Sequence, residues 1–182
     1  MIVASNLTKR YAGTQVNAAL SDVNFTINAG EFTFINGHSG AGKSTLLRLI
    51  AAIERPTSGS LLLNGKNLAS LNARGIPFIR RNLGLIFQDQ KLLFDRNALE
   101  NVLLPLFIVG ISYKEAVKRA HAALDKVGLL ARAKANPIAL SGGEQQKLAI
   151  ARAVVNRPAM LLADEPTANL DDETAEHIFA IF

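Results

Sequence analysis

Along the first third of the chain, apolar and polar positions alternate. Val23, Phe25 and Ile27 fall on one side of an extended segment and Asn24 and Thr26 on the other, which predicts a half-buried strand over residues 23–27. Asn28, Ala29 and Gly30 signal a turn, and residues 31–35 predict a second strand. After a glycine-rich stretch the spacing becomes helical. Leu46, Leu47, Leu49, Ile50 and Ile53 supply its buried face, and Pro56, Ser58 and Gly59 end it. Residues 60–63 form a short strand running into Asn64 and Gly65, a hairpin-type pair, and the apolar run at 83–87 suits a buried strand. From about residue 98 to residue 135 the pattern is helical; 113–127 is its clearest helix, and Gly128 closes it. A further helix runs from Gly142 to about Asn156 and is stopped by Pro158. An apolar strand at 160–163 and a helical start over 173–182 complete the order. This succession predicts an α/β fold, a mixed β core within one domain of residues 1–182, with an α-helical subdomain inserted at about residues 90–140.

Composition narrows the setting. The 182 residues are 49% hydrophobic, enough to bury a substantial core and too apolar for disorder. Without cysteine the chain has neither disulfides nor thiolate metal sites, which fits an intracellular protein. The net charge of +5 suits an anionic partner, such as a nucleotide, nucleic acid or a lipid surface, and equally suits plain solubility, because no dense basic run occurs. The most apolar stretch, residues 102–111, is interrupted by Pro105 and is far short of the roughly 20 residues a spanning helix needs. Residues 1–7 lack the pattern of a signal peptide, so a soluble, cytoplasmic protein is expected.

Chemistry enters at Gly37, His38, Ser39, Gly40, Ala41, Gly42, Lys43 and Ser44: two glycines five positions apart, then Lys and Ser, between a predicted strand and a predicted helix. This is the Walker A pattern of a P-loop. Its glycines let the backbone wrap a phosphate chain, and the helix that follows turns its positive end toward the same anion. Lys43 is expected on the β- and γ-phosphates, the Ser44 hydroxyl on Mg²⁺, and Thr45 near the α-phosphate. An accidental match is expected in on the order of one per cent of chains this long, so the loop is read as functional.

A second segment, Met160-Leu161-Leu162-Ala163-Asp164-Glu165, is an apolar strand ending in two acids, the Walker B pattern. Asp164 at the strand end organises Mg²⁺ through its water shell, and Glu165, one residue on, is placed to polarise the attacking water as a general base. Leu140-Ser141-Gly142-Gly143-Glu144-Gln145 is the most discriminating string. Ser141 and Glu144 form a capping box that starts a helix, yet a cap has no need of two adjacent glycines, which weaken helix starts. They make sense where backbone must lie against a phosphate.

At this string the sequence resembles the ABC ATPase superfamily, over essentially its whole length. The resemblance implies a P-loop nucleotide-binding domain that hydrolyses ATP with Mg²⁺ and pairs with a second copy in an ATP-dependent head-to-tail homodimer. Ser141, Gly142, Gly143 and Glu144 of one copy would then face the γ-phosphate held by the other. It also implies that Gln88 is the glutamine that senses Mg²⁺ and the attacking water, and that Asn169, Leu170 and Asp171 form the loop that speaks across the dimer. Tyr11 would stack on adenine, with Val16 packing nearby. The implied catalytic set is Lys43, Gln88 and Glu165, and the implied metal set Ser44, Gln88 and Asp164.

Within that family the wording is most similar to the cell-division, FtsE-type branch: His38 and Ala41 in the loop, Ile86-Phe87-Gln88-Asp89, and Asp172 after Asp171. Two positions depart from the usual pattern, Ala168 where glycine is common and Asn97 where threonine is common. The branch implies an integral membrane partner of FtsX type, through which ATP would regulate cell-wall hydrolases, and a peripheral place on the inner face of the bacterial membrane. Leu92, Leu93, Phe94 and residues 102–111 would supply part of the contact, and no nucleic-acid partner is expected. A lipoprotein or macrolide exporter subunit is the alternative. The family's switch histidine lies well beyond Asp171. His38, His121 and His177 are misplaced for it, so the chain reads as C-terminally truncated and its turnover is expected to be impaired.

Overall fold

The computed structural model describes residues 1–11, 18–168 and 170–182. They form two compact units, residues Met1–Arg80 and Arg81–Phe182.

The first unit is built on a four-stranded antiparallel sheet of order β2-β1-β3-β4, with β1 at Ile2–Lys9, β2 at Leu20–Ile27, β3 at Ser58–Leu63 and β4 at Lys66–Asn67. Strand β1 lies in the middle: Ile2 sits opposite both Ile27 and Leu63, and Ala4 opposite Phe25 and Leu61. Its buried residues are Ile2, Ala4 and Leu7, two apart and then three. The register shifts between Ala4 and Leu7, and Asn6 adopts a left-handed φ of 49°. A bulge there adds one residue and turns Leu7 into the core where strict alternation would expose it. Asn64 and Gly65, both at positive φ, make the predicted tight turn between β3 and β4.

Helix α1, Lys43–Ile50, buries Leu46, Leu47, Leu49 and Ile50. Ile53, predicted to share that face, is exposed instead. The helix ends at Ile50 and Ala52 turns left-handed, which swings the chain off the helical period. The Arg80 guanidinium, at the end of α2 (Ile76–Arg80), donates to the carbonyls of Ala51 and Ala52 and neutralises the negative end of α1. The predicted turn at 28–30 is present, tied by Asn28 and Glu31. The predicted strand at 31–35 is not: among the described residues it joins no ladder, and Phe32 and Phe34 are 63% and 78% exposed. An alternating pattern becomes a strand only where another backbone takes up its N–H and C=O groups.

In the second unit, β5 (Leu83–Ile86) and β6 (Met160–Ala163) pair in parallel, Leu83 opposite Met160 and Ile86 opposite Ala163. Around them pack α3 (Ala98–Ile108), α4 (Tyr113–Lys126), α5 (Gly142–Val154) and α6 (Asp172–Phe179), burying Val102, Leu106, Leu124, Leu148, Ile150 and Ile178. On α4 the buried positions Ala116, Ala120 and Leu124 recur every four residues, and the small ones let neighbouring helices approach. Pro105 does not interrupt α3, which runs through it. The helix starts on a complete capping box, Asn97 with Glu100, and buries Val102, Leu103 and Leu106 on both sides of the proline.

Asn101, fully buried on α3, accepts from the Leu93 amide and donates toward the carbonyls of Leu93, Arg96 and Asn97. Asn101→Ala should therefore cost about 2–4 kcal/mol, because a fully buried side chain is lost and the part-buried Leu93 amide and Arg96 carbonyl lose their partner at once. Urea unfolding would show it as a lower midpoint at unchanged slope.

Candidate functional site

The phosphate-type loop lies wholly in the first unit. Gly42 caps α1 with φ 90° and ψ 8°, a conformation that only glycine adopts without strain. A Cβ on it would lie 2.3 Å from the Ala19 carbonyl oxygen and 2.8 Å from Leu20 Cδ2. The chain thus turns sharply between Gly37 and Lys43, closed by the Ala41 amide on the His38 carbonyl at 3.1 Å and by the Leu46 amide on Gly42 at 2.9 Å. His38 Nδ1 donates to the Ser39 carbonyl at 2.7 Å, and the Gly37 amide to Asn36 Oδ1 at 2.8 Å. The Lys43 ammonium reaches back over the loop to the carbonyls of Gly37 and His38, at 2.7 and 3.0 Å. The Lys43 point charge and the first-turn N–H groups of α1 therefore bear on one exposed turn, with Ser44 next to Lys43 in the first turn of the helix.

Tyr11 stands beside the start of α1, its hydroxyl 3.4 Å from Thr45 Oγ1 and its ring under the Lys9 ammonium at 5.1 Å. Lys9 also pairs with Glu54 at 3.2 Å. Partial burial raises the Glu54 carboxyl pKa, but Tyr11, Lys9 and Arg48 together outweigh it and hold the group below the usual carboxylate range. Val16, expected beside Tyr11, lies outside the described residues.

The second unit brings Gln88 and Glu165 together. The β5–β6 ladder extends one step past β6, where the Asp164 amide donates to the Ile86 carbonyl at 2.9 Å. One residue further on, Gln88 Nε2 donates to Glu165 Oε2 at 3.1 Å. Parallel pairing accounts for this contact, because two strands in register deliver their C-terminal ends to the same edge. Glu165 has φ 50°, a left-handed backbone that costs a non-glycine residue on the order of 1 kcal/mol or more and belongs to tightly constrained sites.

Ser141 and Glu144 form the predicted capping box on α5, through Glu144 N to Ser141 Oγ at 3.2 Å and Ser141 N to Glu144 Oε2 at 2.8 Å. Gly142 is exposed, and an added Cβ would meet nothing within 4 Å, so the glycine leaves an open approach to the helix end. Arg132 lies 3.9 Å from Glu144. Asp171 caps α6 by accepting from the Thr174 amide at 2.9 Å, which holds its carboxyl below the ordinary range. A depressed carboxylate contributes stability above its unfolded pKa and loses it as pH falls through the folded value, so this cap weakens only in acid. Asn169 lies outside the described residues.

Three residues with a part in this arrangement carried no signal in the sequence: Asn101, Gln146 and Arg152. Gln146 is 1% exposed on α5 and donates to the Pro166 carbonyl at 2.8 Å, next to Glu165. Arg152, further along α5, donates to the carbonyls of Gln90 and Lys91, just after Gln88. Burial lowers the pKa of its guanidinium. Both read in the sequence as ordinary polar positions of an amphipathic helix.

Among known proteins, a family model described as ABC transporter matches residues 20–168. The cell division ATP-binding protein FtsE of Escherichia coli K12 is 53% identical over 182 residues, all of this chain and 81% of that protein. A methionine import ATP-binding protein, MetN of Rhizobium johnstonii, is 46% identical over 173 residues, 95% of this chain and 47% of that one. A dimeric post-hydrolysis state of the ATP-binding cassette MJ0796, bound to ADP and Pi, matches with a TM-score of 0.95 and 40% identity, covering 100% of this chain and 81% of its own.

Proposed function

The chain belongs to the ABC transporter family of ATP-binding proteins, and we propose that it is the ATPase subunit of a bacterial cell-division complex, coupling ATP hydrolysis to an FtsX-type membrane protein that regulates cell-wall hydrolases. The observation that carries hydrolysis rather than mere binding is the Gln88–Glu165 contact. A carboxylate just past an apolar strand is common, but one met by an amide side chain 77 positions away supports a group held for work on a water molecule.

In this reading residues 37–45 hold the phosphates, with Lys43 on the β- and γ-phosphates. Tyr11, beside the start of α1, stacks on the adenine. Glu165 takes the proton of the attacking water and Gln88 orients it. Ser44, Gln88 and Asp164 offer hydroxyl, amide and carboxylate oxygens, hard donors that suit Mg²⁺. Mg²⁺ takes most of its shell from waters and phosphates, so it needs no protein cage, and among the described residues no cluster of three or more His, Asp or Glu side chains forms one. Mg²⁺ would draw charge from the phosphates. Ser141, Gly142, Gly143 and Glu144 complete the site of a second copy in a head-to-tail dimer, with Asp171 at the junction.

The cell-division assignment rests on the 53% identity to the FtsE protein. An apolar contact for the membrane partner is available at Phe94, half exposed, and at the end of α3, where Phe107 and Ile108 are exposed while Val102, Leu103 and Leu106 are core. No described helix is long and apolar enough to cross a membrane; in this reading the membrane partner supplies the attachment. A transport-coupled subunit is the second reading, favoured by the 46% identity to MetN.

Lys43→Ala should reduce MgATP turnover below detection and weaken nucleotide binding by at least about tenfold, the loss of a charge-assisted contact to phosphate. Turnover within a few-fold of the parent would overturn the role of the loop. Co-purification from detergent-solubilised membranes separates the two readings: an FtsX-type protein supports the first, a permease the second.

A further inference from the structure

Helix α5 carries the Ser141–Glu144 start at one end, and its body holds the two loops on which Gln88 and Glu165 stand. Arg152 Nη1 donates to the Lys91 carbonyl at 2.7 Å, and Nη2 donates to that of Gln90. Those two residues are consecutive and both left-handed, with φ 45° and 48°. Two adjacent non-glycine residues do not keep that conformation unaided, so something must hold the carbonyls where they point. A half-buried guanidinium with a fixed donor fork fills that role. Gln146, six residues earlier and so about 9 Å along the same helix, donates to the Pro166 carbonyl and fixes the loop that carries left-handed Glu165.

Gln146 is costly where it stands. Its Nε2 is used, but its buried Oε1 has no hydrogen-bond partner among the described residues. A buried amide with an unmet acceptor is a cost to the fold; an apolar side chain of similar size removes that cost but leaves the part-buried Pro166 carbonyl without its donor. A group that weakens the fold while gripping the loop beside Glu165 points to positioning.

We infer that Gln146 and Arg152 are positioning residues: α5 sets the loops at 88–91 and 165–166 so that the Gln88 amide meets the Glu165 carboxylate. The inference rests on the reading of that pair as hydrolytic. Because the same helix begins at Ser141, a shift of α5 when its start engages a nucleotide would reach Gln88 and Glu165 directly, through hydrogen bonds rather than through loose packing.

The test is a set of double-mutant cycles on MgATP turnover, read together with nucleotide affinity and thermal midpoint. Gln146→Leu and Arg152→Met should each lower kcat by about tenfold with nucleotide Kd changed less than about twofold, and Gln146→Leu should melt close to the parent, the relief of the unmet acceptor offsetting the lost bond to Pro166. In a Gln88→Ala background the same substitutions should cost less than about twofold more, because the contact they support is already gone. Arg152→Lys, which keeps the charge and N–H donors but not the planar fork, should recover part of the loss.

Full additivity in the Gln88→Ala background, or an unchanged kcat, would overturn the inference. If Arg152→Met does not fold, Gln146→Leu and Arg152→Lys carry the cycle. Failure of the underlying reading looks different: Glu165→Gln or Gln88→Ala would then leave turnover at the parent value, and both proposals would fall together.

Discussion

Glu165→Gln should lower ATP turnover by about 100- to 10,000-fold, the range a positioned general base contributes, while ATP still binds. The substitution is close to isosteric, and its amide oxygen can still accept from Gln88 Nε2 at the 3.1 Å seen for the carboxylate. Geometry is therefore kept and only the proton acceptor is lost. With hydrolysis blocked, the ATP-bound head-to-tail dimer should accumulate and elute as such from a sizing column run in MgATP. A variant with turnover within about tenfold of the parent would remove Glu165 from the role of base. A variant that stays monomeric with ATP would count against the dimer and leave the base assignment standing.

Gly42→Ala should be nearly as damaging for a different reason. The new Cβ meets the Ala19 carbonyl oxygen at 2.3 Å, and the residue must hold φ 90°. Left-handed strain alone is about 1–3 kcal/mol, which converts to about 5- to 150-fold in nucleotide affinity if the loop relaxes out of its bound shape. The clash with main chain adds to that, because a backbone oxygen cannot rotate away as a side chain would. Gly40→Ala is the matched control. Gly40 has φ 78°, but its Cβ would meet nothing within 4 Å, so it carries the strain without the clash. Titration with a fluorescent ATP analogue should rank parent, Gly40→Ala and Gly42→Ala in that order of affinity. Equal losses for the two variants would mean that the close approach of residues 19 and 42 plays no part in shaping the loop.

The residues of the loop were legible because a phosphate cradle has to be written contiguously. The chain must bend within eight residues, and only glycines at fixed intervals allow it. The capping box on α5 belongs to the same class: Ser141 with Glu144 was readable because both partners lie within one helical turn. The Asn64–Gly65 hairpin turn, the strands at 83–86 and 160–163, and the helices on either side were equally local, set by the period of their apolar residues. Where that period was interrupted, reading failed. Strand β1 hides its pattern behind the Asn6 bulge, which moves the third core residue from position 6 to position 7.

What only the tertiary structure decided concerns partners far apart in the chain. Residues 31–35 alternate like a strand, yet among the described residues no second backbone pairs with them. Ile53 has the right spacing for the buried face of α1 and stands exposed, because the helix ends before it. The Gln88–Glu165 contact depends on two strands in parallel register, and the grip of Gln146 and Arg152 on the flanking loops depends on where α5 packs. Periodicity in a sequence reports which face of an element turns inward. It carries no information about which distant backbone group that face will meet, because the hydrogen bond that decides it belongs to two segments at once.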